Sequence, residues 1–195
     1  MAISKDTNSV KSPSYLAHVV LRTTAEKFSE MVDFYTTFLG GRVIANNGML
    51  AFITYDEEHH RIALVAIPGL KPKDPGTSGL EHVSFAYKTI DDLLESYTQR
   101  KAHNIQPLWP VNHGPTLSIY YRDPDGNNLE TQVDCFDTPE EATAYMFTPE
   151  FQENPFGVDF DPDEFIEKRK QGVSAKELLK RPNIGARAMD TVPIV

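Results

Sequence analysis

One pattern occurs twice in this 195-residue chain, and it limits the folds open to it. Leu16-Ala17-His18-Val19-Val20-Leu21 is an apolar run broken by one imidazole. Leu80-Glu81-His82-Val83-Ser84-Phe85 repeats it with Leu, His and Val in register. After each run comes a helix-capping signal, Thr23-Thr24-Ala25-Glu26 in the first copy and Thr89-Ile90-Asp91-Asp92 in the second. An amphipathic stretch follows. Phe28, Met31, Val32, Tyr35, Phe38 and Leu39 form one apolar face, Ile90, Leu93, Leu94 and Tyr97 the other. Gly40-Gly41 stops the first helix. Three short strands are expected after each, over 42–45, 49–55 and 61–67, then over 106–108, 117–121 and 129–133. The repeating unit is therefore βαβββ. One such unit cannot cover both faces of its own sheet, whereas two side by side can. The expected fold is α+β: two tandem βαβββ modules forming a curved mixed sheet around a central metal cleft, with a C-terminal helical or irregular extension.

The boundaries follow from composition. Residues 1–14 read as a flexible leader, 15–70 as the first module, 71–79 as a Pro- and Gly-rich linker, and 80–137 as the second module. Residues 138–195 read as a helical arm. Pro139-Glu140-Glu141-Ala142 opens one helix, and Asp161-Pro162-Asp163-Glu164 caps another whose far end carries Lys168, Arg169 and Lys170. Ser174-Ala175-Lys176-Glu177 begins a third, which Pro182 ends. The arm is expected to lie over the modules or over a partner subunit, and nothing in it reads as chemical. A net charge of −9 argues against nucleic-acid and anionic-membrane partners. The single cysteine, Cys135, rules out an internal disulfide and suits a reducing compartment. No stretch reads as a signal peptide or a membrane span, so a cytoplasmic location is expected.

The chemistry concentrates in and around His113 to Glu130. Asp123-Pro124-Asp125-Gly126 has the residues of a type I turn, so the segments on either side read as a hairpin. Glu130 falls in the middle of the second strand, a position that strands rarely give to Glu. Either it points to water or it meets a cation. His18 and His82 occupy equivalent positions of the repeat, and side chains alternate along a strand, so both are expected to face the shared cleft, with Glu130 there too. Two imidazoles and one carboxylate form the facial set that leaves coordination positions open and suits Fe(II). A closed structural zinc site would use four ligands and favour thiolates, which one cysteine cannot supply. The plainer alternative is two buried neutral histidines and an exposed Glu.

Across residues 15–136 the chain resembles the vicinal oxygen chelate superfamily, which includes glyoxalase I, bleomycin-resistance proteins and type I extradiol catechol dioxygenases. The likeness to the dioxygenases rests on His59-His60-Arg61-Ile62-Ala63, on Glu81-His82-Val83, and on Ser118 to Glu130, where Tyr120 precedes Glu130 and Pro124-Asp125-Gly126 matches a Pro-x-Gly element. The resemblance implies His18, His82 and Glu130 as the iron ligands, and His60 as the acid–base residue beside the dioxygen position. It also implies that His113 and Tyr120 hydrogen-bond the substrate hydroxyls, with Tyr121 the alternative if the register slips by one. On a strand His59 would face away from His60 and be solvated. His103 is expected at the C-terminal end of the second helix, and Trp109, set between prolines, along the pocket.

The expected activity is Fe(II)-dependent extradiol cleavage of a small aromatic diol by O2, in aromatic catabolism, with Mn(II) the alternative metal. A homodimer or larger homo-oligomer is expected. Two rivals keep the scaffold: a glyoxalase-like metal-dependent isomerase or lyase, and a metal-free small-molecule-binding protein. A glyoxalase-type site takes a fourth protein ligand from the last strand of the first module, and Ile62-Ala63-Leu64-Val65-Ala66 offers none.

Overall fold

The computed structural model describes residues 10–193, so most of the expected leader lies outside the described residues. The chain divides between Leu70 and Lys71 into two compact units.

The first unit runs β1 (Val19–Thr23), α1 (Phe28–Phe38), β2 (Arg42–Asn46), β3 (Leu50–Thr54) and β4 (Ile62–Ala66). Its sheet has the order β1-β4-β3-β2. β1 and β4 are parallel and the other pairs antiparallel, which is the arrangement a helical crossover permits. The α1 face expected from spacing is the buried one: Phe28, Met31, Val32, Tyr35 and Phe38. Gly40, at φ +58°, turns the chain out of the helix, a conformation glycine adopts without steric cost. The expected cap does not form as such. Thr23 is still in β1, and Thr24 accepts only a long 3.4 Å bond from Lys27 N, so α1 starts later and without a side-chain cap.

The second unit contains β5 (His82–Ala86), α2 (Ile90–Ala102), β6 (Trp109–Asn112), β7 (Thr116–Arg122) and β8 (Asn128–Asp134). The arm then adds α3 (Pro139–Met146), α4 (Pro149–Glu153), β9 (Val158–Asp159), α5 (Pro162–Lys170) and α6 (Ala175–Leu179). The sheet order is β5-β8-β7-β6-β9, with β5 and β8 parallel. α2 is capped as its sequence dictates: Thr89 Oγ1 accepts from Asp92 N at 3.0 Å. Ile90, Leu93, Leu94 and Tyr97 are buried, and His103 caps the far end. The strand expected at 106–108 lies instead at Trp109–Asn112. Pro110 within it hides the strand from a propensity reading, because proline lacks the ladder donor. The hairpin turn closes as expected, with Gly126 N bonded to Asp123 O at 3.0 Å.

The arm lies on its own unit. Arg169 grips both oxygens of Asp91 on α2 at 2.7 Å each, and Lys101 reaches Asp163 at 2.6 Å. β9 pairs with the outer edge of β6, a strand that the sequence did not announce. Among the described residues no helix is long and apolar enough to cross a membrane.

Candidate functional site

In the second unit one rung of the sheet gathers the candidate residues. Tyr120 pairs directly with Glu130 across β7 and β8, Trp109 with Tyr120 across β6 and β7, and Ser84 with Glu130 across β5 and β8. His82 lies two residues before Ser84 and therefore on the same face. Its Nε2 stands 3.0 Å from Glu130 Oε2. Glu130 is 4% exposed, so its carboxylate has left water for this partner. Burial alone would raise Glu130, but hydrogen bonds from His82, Ser118 and Ser84 outweigh it and hold the carboxyl below its ordinary value. The bond to Glu130 in turn pushes His82 up to about 9, against its own desolvation and with help from Glu81. Glu81 contacts His82 Nδ1 and accepts from Asn128 Nδ2 at 2.7 Å.

This pair fits a metal. Two donor atoms bound about 2.1 Å from one ion, at right angles, stand about 3 Å apart. The His82–Glu130 separation has that size. A carboxylate on the other ring nitrogen is the usual support for a ligating histidine, and Glu81 supplies it.

Tyr120 and His113 stand beside the pair. The Tyr120 hydroxyl lies 3.1 Å from His113 Nε2 and also bonds Glu130. Burial, then the Glu130 charge, pushes Tyr120 well above its ordinary value, so it remains a phenol. Burial lowers His113 despite the opposing pull of Glu130 and of a Phe156 backbone bond, leaving the ring neutral near pH 7. Tyr121 faces the other way, and the Arg100 guanidinium lies 5.3 Å from its ring centre. Trp109 stacks on Tyr120 and meets His113 edge-on, with ring centres 5.3 and 5.5 Å apart.

In the first unit His18 is exposed and sits one residue before β1 rather than inside it. Its ring centre lies 4.4 Å from that of His60. The cause is local. Arg61 donates to the Leu16 and Ala17 carbonyls at 3.1 Å each and to Asp56 at 2.9 Å, tying the segment before β1 to the 55–61 loop. His59 and His60 lie in that loop, not on a strand, so they do not alternate: their rings touch, although His59 is exposed as expected. Desolvation and the two neighbouring imidazoles lower His60. Among the described residues neither unit by itself gathers three His, Cys, Asp or Glu side chains in a way that holds a metal ion.

Two neighbours of the candidate residues escaped the sequence reading, the Glu81 carboxylate on His82 and Arg181 of the arm on the His113 carbonyl. Glu81 was legible, being next to His82; Arg181 had no local signal. A cavity of about 670 Å³ lies along Gly114, Cys135, Tyr145, Leu179 and Arg181.

Residues 15–131 match the model of the Glyoxalase/Bleomycin resistance protein/Dioxygenase superfamily. The chain belongs to this superfamily. It is 46% identical over 178 residues to biphenyl-2,3-diol 1,2-dioxygenase 2 of Rhodococcus globerulus, covering 91% of this chain and 90% of that one. To biphenyl-2,3-diol 1,2-dioxygenase 3 of the same organism it is 44% identical, over 85% of this chain and 87% of the relative. Among solved structures, a glyoxylase/bleomycin resistance protein/dioxygenase domain from Frankia sp. EAN1pec superposes with a TM-score of 0.52 at 20% identity, covering 63% of this chain and 99% of that domain. That likeness concerns the fold alone.

Proposed function

We propose that this superfamily member is an extradiol dioxygenase that holds Fe(II) and opens a catechol-type ring, biphenyl-2,3-diol being the first substrate to try. The ligand set is His18, His82 and Glu130. The observation that carries the reading is the buried Glu130 carboxylate set 3.0 Å from His82 Nε2, with a tyrosine and a neutral histidine beside it. The two dioxygenase relatives support it over most of the chain.

Bound there, Fe(II) supplies open positions for a chelating diol and for dioxygen, and Mn(II) is the alternative metal. The chain supplies the rest. Tyr120, a phenol at working pH, donates to a substrate oxygen. His113, neutral, would be able to accept a proton from a catechol hydroxyl. Trp109, buried and stacked on Tyr120, holds that ring in place from behind rather than meeting the substrate itself. His60, also neutral, acts as the acid–base group on the dioxygen side. β4 carries only Ile62, Ala63, Leu64, Val65 and Ala66, which disfavours a fourth protein ligand of the glyoxalase kind. A reducing cytoplasm and self-association into a homodimer or larger homo-oligomer complete the reading.

The test is anaerobic. The full chain is loaded with Fe(II) and mixed with biphenyl-2,3-diol or catechol, and air is then admitted. A yellow ring-opened product with one O2 consumed per ring is expected. Full iron occupancy without product from either diol overturns the reading, and isomerisation of a glutathione hemithioacetal would replace it with a lyase.

A further inference from the structure

Arg181 is 8% exposed, yet the partners that its Nη1 and Nη2 meet are carbonyls rather than carboxylates. Its fork spans two of them: Nη1 donates to His113 O at 3.0 Å and Nη2 to Asn154 O at 2.7 Å. Burying a cation is costly, and an apolar side chain of similar volume would avoid that cost. What guanidinium adds is a rigid plane that holds two acceptors at once.

Both acceptors belong to parts that meet at the substrate-side wall. Asn154 opens a tight loop, its side chain exchanging two bonds with Gly157, N–H to Oδ1 at 2.9 Å and Nδ2 to the Gly157 carbonyl at 3.1 Å. Gly157 takes φ +96° and lies so close to β6 that a Cβ there would stand 2.5 Å from Asn112 O. Within this loop Phe156 packs on Trp109, Val111, Tyr120 and Val192, and its backbone bonds the His113 ring. Asn112 adds a tie of its own, Nδ2 to Leu179 O at 3.0 Å. His113 is thus held from behind by the arm while Nε2 faces the Tyr120 hydroxyl.

We infer that Arg181 is a positioning residue for His113: by bridging the His113 and Asn154 carbonyls it keeps the imidazole in register with Tyr120, which makes the C-terminal arm a working part of the substrate wall. The inference rests on the reading that His113 serves the substrate. One further fact agrees with it. An alignment of 178 residues in a chain of 195 must run into the arm, so the dioxygenase relatives share that length, whereas the Frankia domain covers 63% of the chain.

The experiment uses the full chain with Arg181→Met, Arg181→Lys and His113→Gln. Bound iron is measured first, then kcat and KM for biphenyl-2,3-diol. The tautomer of His113 is read before iron is added, from long-range proton–nitrogen imidazole spectra assigned with His113→Gln. Arg181→Met is expected to keep its iron and a KM near wild type while kcat falls about 10–100-fold, the scale of a slightly misplaced group. Its His113 signal should change from one tautomer to a mixture. Arg181→Lys, able to reach one carbonyl but not both, should recover part of each effect. A wild-type ring spectrum and kcat in Arg181→Met overturn the inference and leave the dioxygenase reading standing. If Arg181→Met does not fold, Arg181→Lys decides on the same readouts, wild-type values again overturning it. An unchanged kcat in His113→Gln would remove His113 from the chemistry and overturn the inference with it, while product formation by the iron-loaded chain would still uphold the dioxygenase reading.

Discussion

Trp109 and Tyr120 are register partners across β6 and β7, and their rings stack with an interplanar angle of 21°. The indole is pinned on its far edge, Nε1 donating to Asp159 at 2.6 Å, while the Arg187 guanidinium carbon stands 5.3 Å from the ring centre. The indole stacked on Tyr120 thus takes its orientation from β9.

Two substitutions separate stacking from pinning. Trp109→Phe keeps an aromatic ring on Tyr120 but loses the Asp159 bond, and should cost about 0.5–1.5 kcal/mol. Trp109→Ala also leaves a cavity and should cost about 3–5 kcal/mol. Denaturant midpoints at constant m-value measure both.

Glu81→Ala removes the carboxylate that braces His82 Nδ1 without touching a proposed ligand. Iron affinity should fall about 10–100-fold, read by competition with a chelator. Unchanged affinity would mean that the strand and the Glu130 contact orient the imidazole without Glu81.

His60→Phe should retain iron and slow turnover about 10²–10⁴-fold, the range of a lost acid–base group. Loss of iron in this variant would place His60 among the ligands instead.

The arm should loosen in acid. Arg169 holds Asp91 below its ordinary value, Lys101 does so for Asp163, and at Asp159 the Arg187 and Trp109 bonds outweigh desolvation in the same direction. Lowered carboxyls bind fewer protons folded than unfolded. Their contribution is complete above the ordinary carboxylate value of about 3.9 and is lost as pH falls through the lower folded values. Trp109 is the only tryptophan, so its emission should shift red over that range before the sheets unfold. A shift that coincides with global unfolding would mean that the arm has no separate stability.

Much of this was legible because periodicity is a local signal. The α1 and α2 faces could be counted off the chain, and the family resemblance pointed to Tyr120 with Tyr121 as the alternative; the register places Tyr120 opposite Glu130 and leaves Tyr121 to the Arg100 side. What escaped depends on contacts between distant residues. His59 and His60 read as strand neighbours because nothing nearby reveals that Arg61 folds their segment onto Asp56 and the Leu16–Ala17 backbone. Arg181 carried no local signal, because its partners lie far back in sequence. β6 was misplaced because its Trp-Pro pair resembles a loop, and β9, at two residues, is too short to carry a pattern.

That short strand has a cost attached to its removal. Val158 and Asp159 occupy backbone groups along the rim of β6, and Arg187 pairs with Asp159 there. A chain cut after the second module would uncover β6 as a bare border, free to recruit a strand from any neighbour. Truncations made to trim this protein to its family core would therefore be expected to give sticky, clumping material.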